Sequence, residues 1–280
     1  MKIIHTVSGL EEALQQVRRQ GESIGFVPTM GALHEGHATL VRQSVAENDF
    51  TVVSLFVNPT QFNNPEDLRL YPRTPERDHR LLERLGADLL FTPSVEEIYP
   101  EPDRRVFDFG LLDKVMEGRF RPGHFNGVAQ VVSKLFRFVQ PDKAYFGEKD
   151  FQQLVIVREM VRQLQLPVEI VGVPIVREPS GLAMSSRNAR LSAQERENAA
   201  QIYRVLHDSL ALKEACAPVK LAEWVVGEIN KVPGLRVEYY EIVDGYSLQP
   251  VSTWEESGRS VGCVAVFCGA VRLIDHISYR

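Results

Sequence analysis

Cysteine is scarce in this chain, and the little there is carries no framework. Cys216, Cys263 and Cys268 are an odd number with no Cys-x-x-Cys pair. That argues against a disulfide scaffold or a zinc site and fits a reducing compartment. The last two lie in "VGCVAVFCGAV", where they read as small buried hydrophobes. Positive charge is not in excess: 32 Lys+Arg against 37 Asp+Glu leaves a net −5, with no long basic block. A nucleic-acid partner is therefore not favoured, although anions can still bind where positive groups gather locally. No run approaches ~18 apolar residues, and "MKIIHTVSGLEE" lacks the apolar core of a signal peptide. The expectation is a soluble cytoplasmic protein with no membrane partner. Also missing are Gly-x-Gly-x-x-Gly, a Walker A lysine, internal repeats and low-complexity tracts.

What is present is ordinary globular material, 44% hydrophobic and 25% charged over 280 residues, enough for one large core or two smaller ones. Up to about Arg177, short β-rich runs alternate with amphipathic segments. Ser8 and Glu11 form a capping-box pattern that predicts a helix over "SGLEEALQQVRRQ". "SIGFVP" and "FTVVSLFV" are continuous apolar runs, the pattern of parallel strands buried on both faces. Thr74, Pro75 and Gly86 mark the cap, first position and exit of another helix. "ADLLFTP", "KAYFG" and "VEIVGVPIV" supply further strands, with helical patterns at roughly 126–139 and 150–164. This alternation predicts an α/β, Rossmann-like domain with a parallel sheet.

Beyond Arg177 the pattern changes. A polar, turn-rich stretch leads to a second capping box, Ser192 with Glu195. Ala199, Ile202, Tyr203, Leu206 and Leu210 follow at helical spacing, and a further helix is expected over 217–231. "RVEYYEIVD", "SVGCVAVFCGAV" and "VRLIDHISY" then read as strands joined by turns. The prediction is a small α+β domain with an antiparallel sheet, dividing the chain into 1–183 and 184–280.

Four segments carry chemistry. In "PTMGALHEGH", directly after the first core strand, Gly31 and Gly36 let backbone approach a ligand. The following helix start offers unpaired N–H groups to an anion. His34 and His37, three apart, would share a face and make a phosphate clamp needing no metal. His37 is also in phase with Leu40 and Val41, so a satisfied core histidine is the competing reading. In "FVNPTQFNN", Asn58, Gln61 and Asn63 offer both donors and acceptors, which suits a polyol or hydroxy acid; a self-satisfied turn is the alternative. Lys149 and Asp150 in "YFGEKDFQQL" sit at a strand-to-helix junction after Gly147, and Lys149 shares a side with Gln153. A lysine there opposes the helix dipole unless an anion is near, so the pair either belongs to a phosphate-binding site or Asp150 simply caps the helix. "GLAMSSRN" offers Ser185, Ser186 and Arg187, a polyphosphate grip or a solvated linker. Asp78 rides the apolar stripe of Leu81, Leu82 and Leu85, and either touches Mg²⁺ waters or caps its helix. Arg119, Arg121 and His124 add positive charge to the cleft or lie on a mobile loop.

The two-histidine segment followed by the Ser-Ser-Arg loop resembles the HIGH nucleotidylyltransferase superfamily. Over essentially the whole length, "PTMGALHEGHATLV", "FVNPTQF", "YPRTPERD", "GRFRPGHFNGV", "YFGEKDFQQL" and "VREPSGLAMSSRN" resemble the pantothenate synthetase (pantoate–β-alanine ligase) family. The resemblance implies ATP along Met30, Gly31, Ala32, Leu33, His34, Glu35, Gly36 and His37. ATP contacts would continue at Gly147, Glu148, Lys149 and Asp150, near Val176, and at Met184, Ser185, Ser186 and Arg187. It implies pantoate at Gln61 and Gln153, with Asn58 beside them, and β-alanine later at Gln61. His37 would be the proton donor. Arg77 stands where some relatives have an acid, which leaves the protein ligand for Mg²⁺ unassigned.

The implied reaction joins (R)-pantoate and β-alanine through pantoyl adenylate, releasing pyrophosphate and AMP. His34, His37 and Lys149 would face the α-phosphate. Ser185, Ser186, Arg187 and Mg²⁺ would face the departing pyrophosphate. The smaller domain would be a lid hinged near Glu178–Gly181, and the family implies a homodimer. A plain nucleotidylyltransferase, which needs no amine and forms no AMP, is the rival reading.

Overall fold

The continuous apolar runs do form parallel strands. In the computed structural model, which describes residues 1–279, six strands make one sheet. They are β1 (Lys2–Ile4), β2 (Ile24–Thr29), β3 (Phe50–Leu55), β4 (Leu89–Phe91), β5 (Lys143–Gly147) and β6 (Glu169–Val173). Their order is β1-β4-β3-β2-β5-β6, and every pairing is parallel. From β2 the chain builds outward through β3 and β4; from β5 it builds the other way to β6. The carboxyl ends of β2 and β5 therefore form a topological switch point, where open α/β sheets bind ligands. The β2–β5 ladder runs only from Gly25↔Lys143 to Phe26↔Ala144. It ends before Pro28, whose missing N–H a longer ladder would need.

One face of this sheet packs Val27, Val53 and Leu90 against Leu40 and Val41 of the Glu35–Glu47 helix and Leu82 of the Pro75–Leu85 helix. On the other, Phe26 and Phe146 meet Phe136 of the His124–Val139 helix edge-on, at centroid distances of 6.2 and 6.3 Å. Burying each side chain of this size is worth roughly 1.5–3 kcal/mol before chain entropy is charged against it. Strand β1 escaped the sequence reading because three residues at a sheet edge show no resolvable period.

Chain packing defines two compact units, divided differently from the expected cut at 183/184. The first comprises Met1–Phe109, Arg121–Glu148 and Ile156–Pro174; the second takes Gly110–Phe120, Lys149–Val155 and everything from Ile175 onward. In the second unit β7 (Leu235–Asp244), β8 (Ser260–Cys268) and β9 (Val271–Ser278) form the expected antiparallel sheet. Helices Ala193–Ser209 and Pro218–Asn230 supply Leu206, Leu221 and Val225 to one apolar cluster with this sheet. Met116 and Phe151 join Tyr239, Val243, Val261 and Cys263 in another, which is why two early segments belong to the late unit. Glu117 fixes the first of them. It accepts the Tyr239 hydroxyl at 2.9 Å and pairs with both terminal nitrogens of Arg272 at 2.7 and 2.9 Å. Such contacts lie far apart in sequence and leave no local signal. Cys263 and Cys268 are buried thiols, as read.

Two local readings need correction. The first helix, Val7–Arg19, is capped by Thr6, whose hydroxyl accepts from Gly9 N; Ser8 lies inside it. The Ser192–Glu195 box forms as expected, with Ser192 N donating to Glu195 at 2.8 Å and Glu195 N to Ser192 Oγ at 3.3 Å. The hinge placed at Glu178–Gly181 falls inside the second unit, in a tight hairpin. There Glu178 N donates to Leu182 O and Gly181 N to Glu178 O, both at 2.8 Å.

Candidate active site

Strand β2 ends in Thr29, and the chain then bends through Gly31 (φ 83°) and Ala32 (φ 50°). The bend turns the N–H groups of Ala32 and Leu33 to one side. The group they meet is the Asp78 carboxylate. Ala32 N donates to Oδ2 at 2.8 Å and Leu33 N to Oδ1 at 2.9 Å, while Thr74 Oγ1 donates to Oδ1 at 3.0 Å. Asp78 is 1% exposed. It is thus neither turned out to Mg²⁺ waters nor capping its own helix; it binds the neighbouring loop. Thr74 does sit at that helix's cap position, yet its side chain makes no cap bond.

Both histidines then open the Glu35–Glu47 helix. His34 is the N-cap, its Nδ1 accepting from Gly36 N at 3.2 Å, and His37 Nδ1 accepts from His34 N at 3.3 Å. This is a capping box built from imidazoles in place of hydroxyl and carboxylate. The ring centroids lie 4.0 Å apart, the shared face that the spacing predicts. A nitrogen that accepts carries a lone pair, so each neutral ring keeps its proton on Nε2 and donates from there. The helix start was expected to offer unpaired amides. Instead Gly31 N donates to Thr29 Oγ1, and the amides of Ala32, Leu33, His34 and Gly36 donate to side chains as described. Of the rest of this stretch, Leu33 packs into the core and exposed Glu35 pairs with Arg42.

At the exit of β3 the amides divide their labour. Asn58, expected among the ligand contacts, is 1% exposed and engaged by protein. Its Nδ2 donates to Gln61 Oε1 and to Gly127 O, both at 3.1 Å. Its Oδ1 accepts from the Tyr99 hydroxyl at 2.9 Å and from Thr60 Oγ1 at 3.1 Å. Asn58 therefore orients Gln61, whose Nε2 donates one N–H to Met30 Sδ at 3.3 Å and carries a second. The Gln61 carbonyl accepts from His124 Nδ1 at 2.8 Å and Arg121 Nη2 at 3.4 Å. Those residues brace the turn, and Asn63 is tied to Pro122 O. Gly127 makes this packing possible, because a Cβ there would lie 2.5 Å from Thr60 O. Tyr99 was missed by the sequence reading; burial raises its hydroxyl pKa, which keeps it a donor.

Of the remaining residues, Gly147 and Glu148 belong to the first unit, and Lys149, Asp150, Gln153 and those from Val176 onward to the second. Lys149 Nζ is 3.5 Å from Asp150 Oδ1, and the lysine side chain is 18% exposed. Asp150 O accepts from Leu154 N as the Phe151–Leu164 helix begins, with Gln153 half-buried in its first turn. Just before them, Gly147 closes β5 and Glu148 N donates to Val173 O. Val176 O accepts from Met184 N at 3.0 Å, closing the hairpin. Ser185 caps the short turn Ser186–Arg190 through Arg187 N. Arg177 pins the hairpin to Asp275 at 2.6 and 3.0 Å, while Glu178 holds Asn188 and Arg196. Burial pushes the His276 imidazole down to about 4; Asp275 opposes this, and Arg177, Arg259 and Lys149 add to it.

A parallel sheet with an imidazole pair at its switch point defines an α/β ligand-binding protein of the Rossmann-like class. A family profile described as pantoate-beta-alanine ligase matches residues 2–278. The chain is 61% identical over 280 residues to a pantothenate synthetase of Bacteroides thetaiotaomicron, covering 100% of this chain and 99% of the relative. It is similar to a solved pantothenate synthetase of Thermus thermophilus (TM-score 0.93, 47% identity, 99% of both chains). It is also similar to a Francisella tularensis pantoate–β-alanine ligase complexed with β-γ ATP and β-alanine (TM-score 0.84, 36% identity, 99% and 97% coverage). The chain belongs to the pantoate–β-alanine ligase family.

Proposed function

We propose a course, residue by residue, for the reaction this ligase performs, the ATP-dependent joining of pantoate and β-alanine into pantothenate. A carboxylate does not acylate an amine unaided, so the pantoate carboxylate first attacks the α-phosphorus of ATP. The P–O bond to the β-phosphate breaks, giving pantoyl adenylate and pyrophosphate. The β-alanine amine then attacks the acyl carbon and AMP leaves. Charge grows on α-phosphate oxygens in the first step. His34 and His37 meet it with Nε2–H groups that are already oriented, so no reorganisation is needed in the transition state. That orientation, set by the two Nδ1 acceptors, is the observation that carries the reading.

Lys149, Ser185, Ser186 and Arg187 act on the same triphosphate, with Gly147, Val176 and Met184 lining the nucleotide. Gln61 and Gln153 hold pantoate, and Gln61 Nε2 later meets β-alanine. Among the described residues no group of three or more His, Cys, Asp or Glu is arranged for a metal ion. Mg²⁺ would enter as MgATP, carried on the phosphates. We also assign the chain to the cytoplasm as a homodimer; among the described residues no helix is long and apolar enough to cross a membrane.

The test leaves out β-alanine. Mass spectrometry should then find a pantoyl–AMP species and one pyrophosphate per site, with AMP released only after the amine is added. AMP formation without pantoate, or no acyl adenylate on the enzyme, would sink the reading.

A further inference from the structure

We propose that Asp78 is a positioning residue that sets the two histidines, and through them the enzyme's grip on ATP. The inference rests on the reading of His34 and His37 given above.

Successive backbone N–H groups gathered on one side of a tight turn ordinarily receive an anion from solution. Here the protein fills it with its own carboxylate. Asp78 accepts three hydrogen bonds, two from the loop and one from Thr74, and is almost wholly withdrawn from solvent. A buried carboxylate on an apolar helix stripe is unfavourable unless those donors repay its lost hydration. The arrangement is specific to a carboxylate, because each of its two oxygens takes a different amide.

The consequence reaches the imidazoles within two residues. Ala32 carries a side chain in the left-handed region (φ 50°), which most residues avoid. Asp78 Oδ2 holds it there, and Leu33 N on Oδ1 fixes the next peptide. His34 follows, and its backbone N–H is what pins His37 Nδ1. Without the carboxylate, Ala32 relaxes toward ordinary φ, the His34 cap loses its geometry, and both rings lose the bond that keeps their protons on Nε2. The same occupancy removes the Ala32 and Leu33 amides as phosphate ligands. The loop grips nucleotide through imidazole rather than backbone.

Asp78→Asn tests this, since an asparagine keeps the size but sets an NH2 group against one of the loop amides. The expected result is a kcat/KM for ATP lowered about 10–100-fold, through a slower adenylate-forming step together with a raised KM for ATP, with KM for pantoate within about twofold of the parent. Nitrogen-15 NMR of the imidazoles should show His34 and His37 leaving the single Nε2–H tautomer. Thr74→Val removes one of three donors and should raise the KM for ATP about threefold; Thr74→Ser should restore it. That pair serves if Asp78→Asn fails to fold. A parental KM for ATP and tautomer state in both Asp78→Asn and Thr74→Val would overturn the proposal. So would a fall in melting temperature with all three substrates affected alike. His34→Ala and His37→Ala separate the two levels. Parental ATP turnover in these sinks the reading of the pair itself; lost turnover beside an unaffected Asp78→Asn sinks the positioning role alone.

Discussion

Two side-chain pairs leave neighbouring strands at the same spacing and end in different states. His34 and His37 follow β2; Asn58 and Gln61 follow β3. Each imidazole accepts on Nδ1 from nearby backbone, which puts its proton on Nε2. The amide pair is asymmetric, because Asn58 spends its group on Gln61, Gly127 O, Tyr99 and Thr60, leaving only Gln61 to face a ligand. Spacing predicts that two groups meet. Whether both remain available depends on how many hydrogen bonds each can make and on partners far away in the chain.

Removing an imidazole breaks the symmetric pair and carries the largest expected effect. His37→Ala should lower the single-turnover rate of adenylate formation about 10²–10³-fold, the usual cost of one transition-state donor. His34→Ala should cost as much or more, since His34 N also holds His37 Nδ1 and the ring caps the helix. Rapid-quench measurement with pantoate and MgATP checks both. If His34→Ala proved much milder than His37→Ala, the reciprocal pinning would be irrelevant to catalysis.

A third imidazole sharpens the contrast because it has neither kind of support. His276 is buried and its Nδ1 finds no hydrogen-bond partner. Its folded pKa of about 4 lies below the ordinary 6.5. Between these values the unfolded chain binds the proton that the folded chain refuses, so stability rises with pH across that window. The contribution is complete above about pH 6.5 and is lost as pH falls toward 4, on the order of 3 kcal/mol in all. His276→Asn should flatten the fall in melting temperature over that window. Parallel curves for parent and variant would show that the ring is not held neutral by burial.

The sequence showed the fold wherever the cause was local. Buried parallel strands read as unbroken apolar runs, the Ser192–Glu195 box announced its helix, and three turn-linked strands announced the antiparallel sheet. The candidate site was legible as far as the residue types and their strand exits. Partnership was not. Asp78 looked like a cap or a metal ligand because its true partners, Ala32 and Leu33, lie 46 and 45 positions away. Asn58 looked like a ligand contact because Tyr99 and Gly127 become its neighbours only after the sheet assembles. The compact units divide elsewhere than at 183/184 for the same reason: Glu117 belongs with Arg272, 155 positions later.

The smallest expected effect asks how far the amide pair depends on that distant support. Asn58→Ala removes the donor to Gln61 Oε1 and leaves Gly127 O buried without its side-chain partner, a loss of about 1–3 kcal/mol. Gln61 is then able to flip, so the KM for pantoate should rise about tenfold or more while that for ATP holds. Tyr99→Phe is gentler. It deletes only the hydroxyl that fills Asn58 Oδ1, and Thr60 Oγ1 remains on the same oxygen. A cost of about 0.5–1.5 kcal/mol, or a few-fold in pantoate KM, follows. The two changes should be strongly non-additive, because both act through one amide. Steady-state kinetics on the single and double variants measures this directly. If the double variant equals the product of the singles, Tyr99 does not act through Asn58. If Asn58→Ala leaves pantoate KM at the parental value, Gln61 holds its orientation unaided, and the two pairs are alike after all.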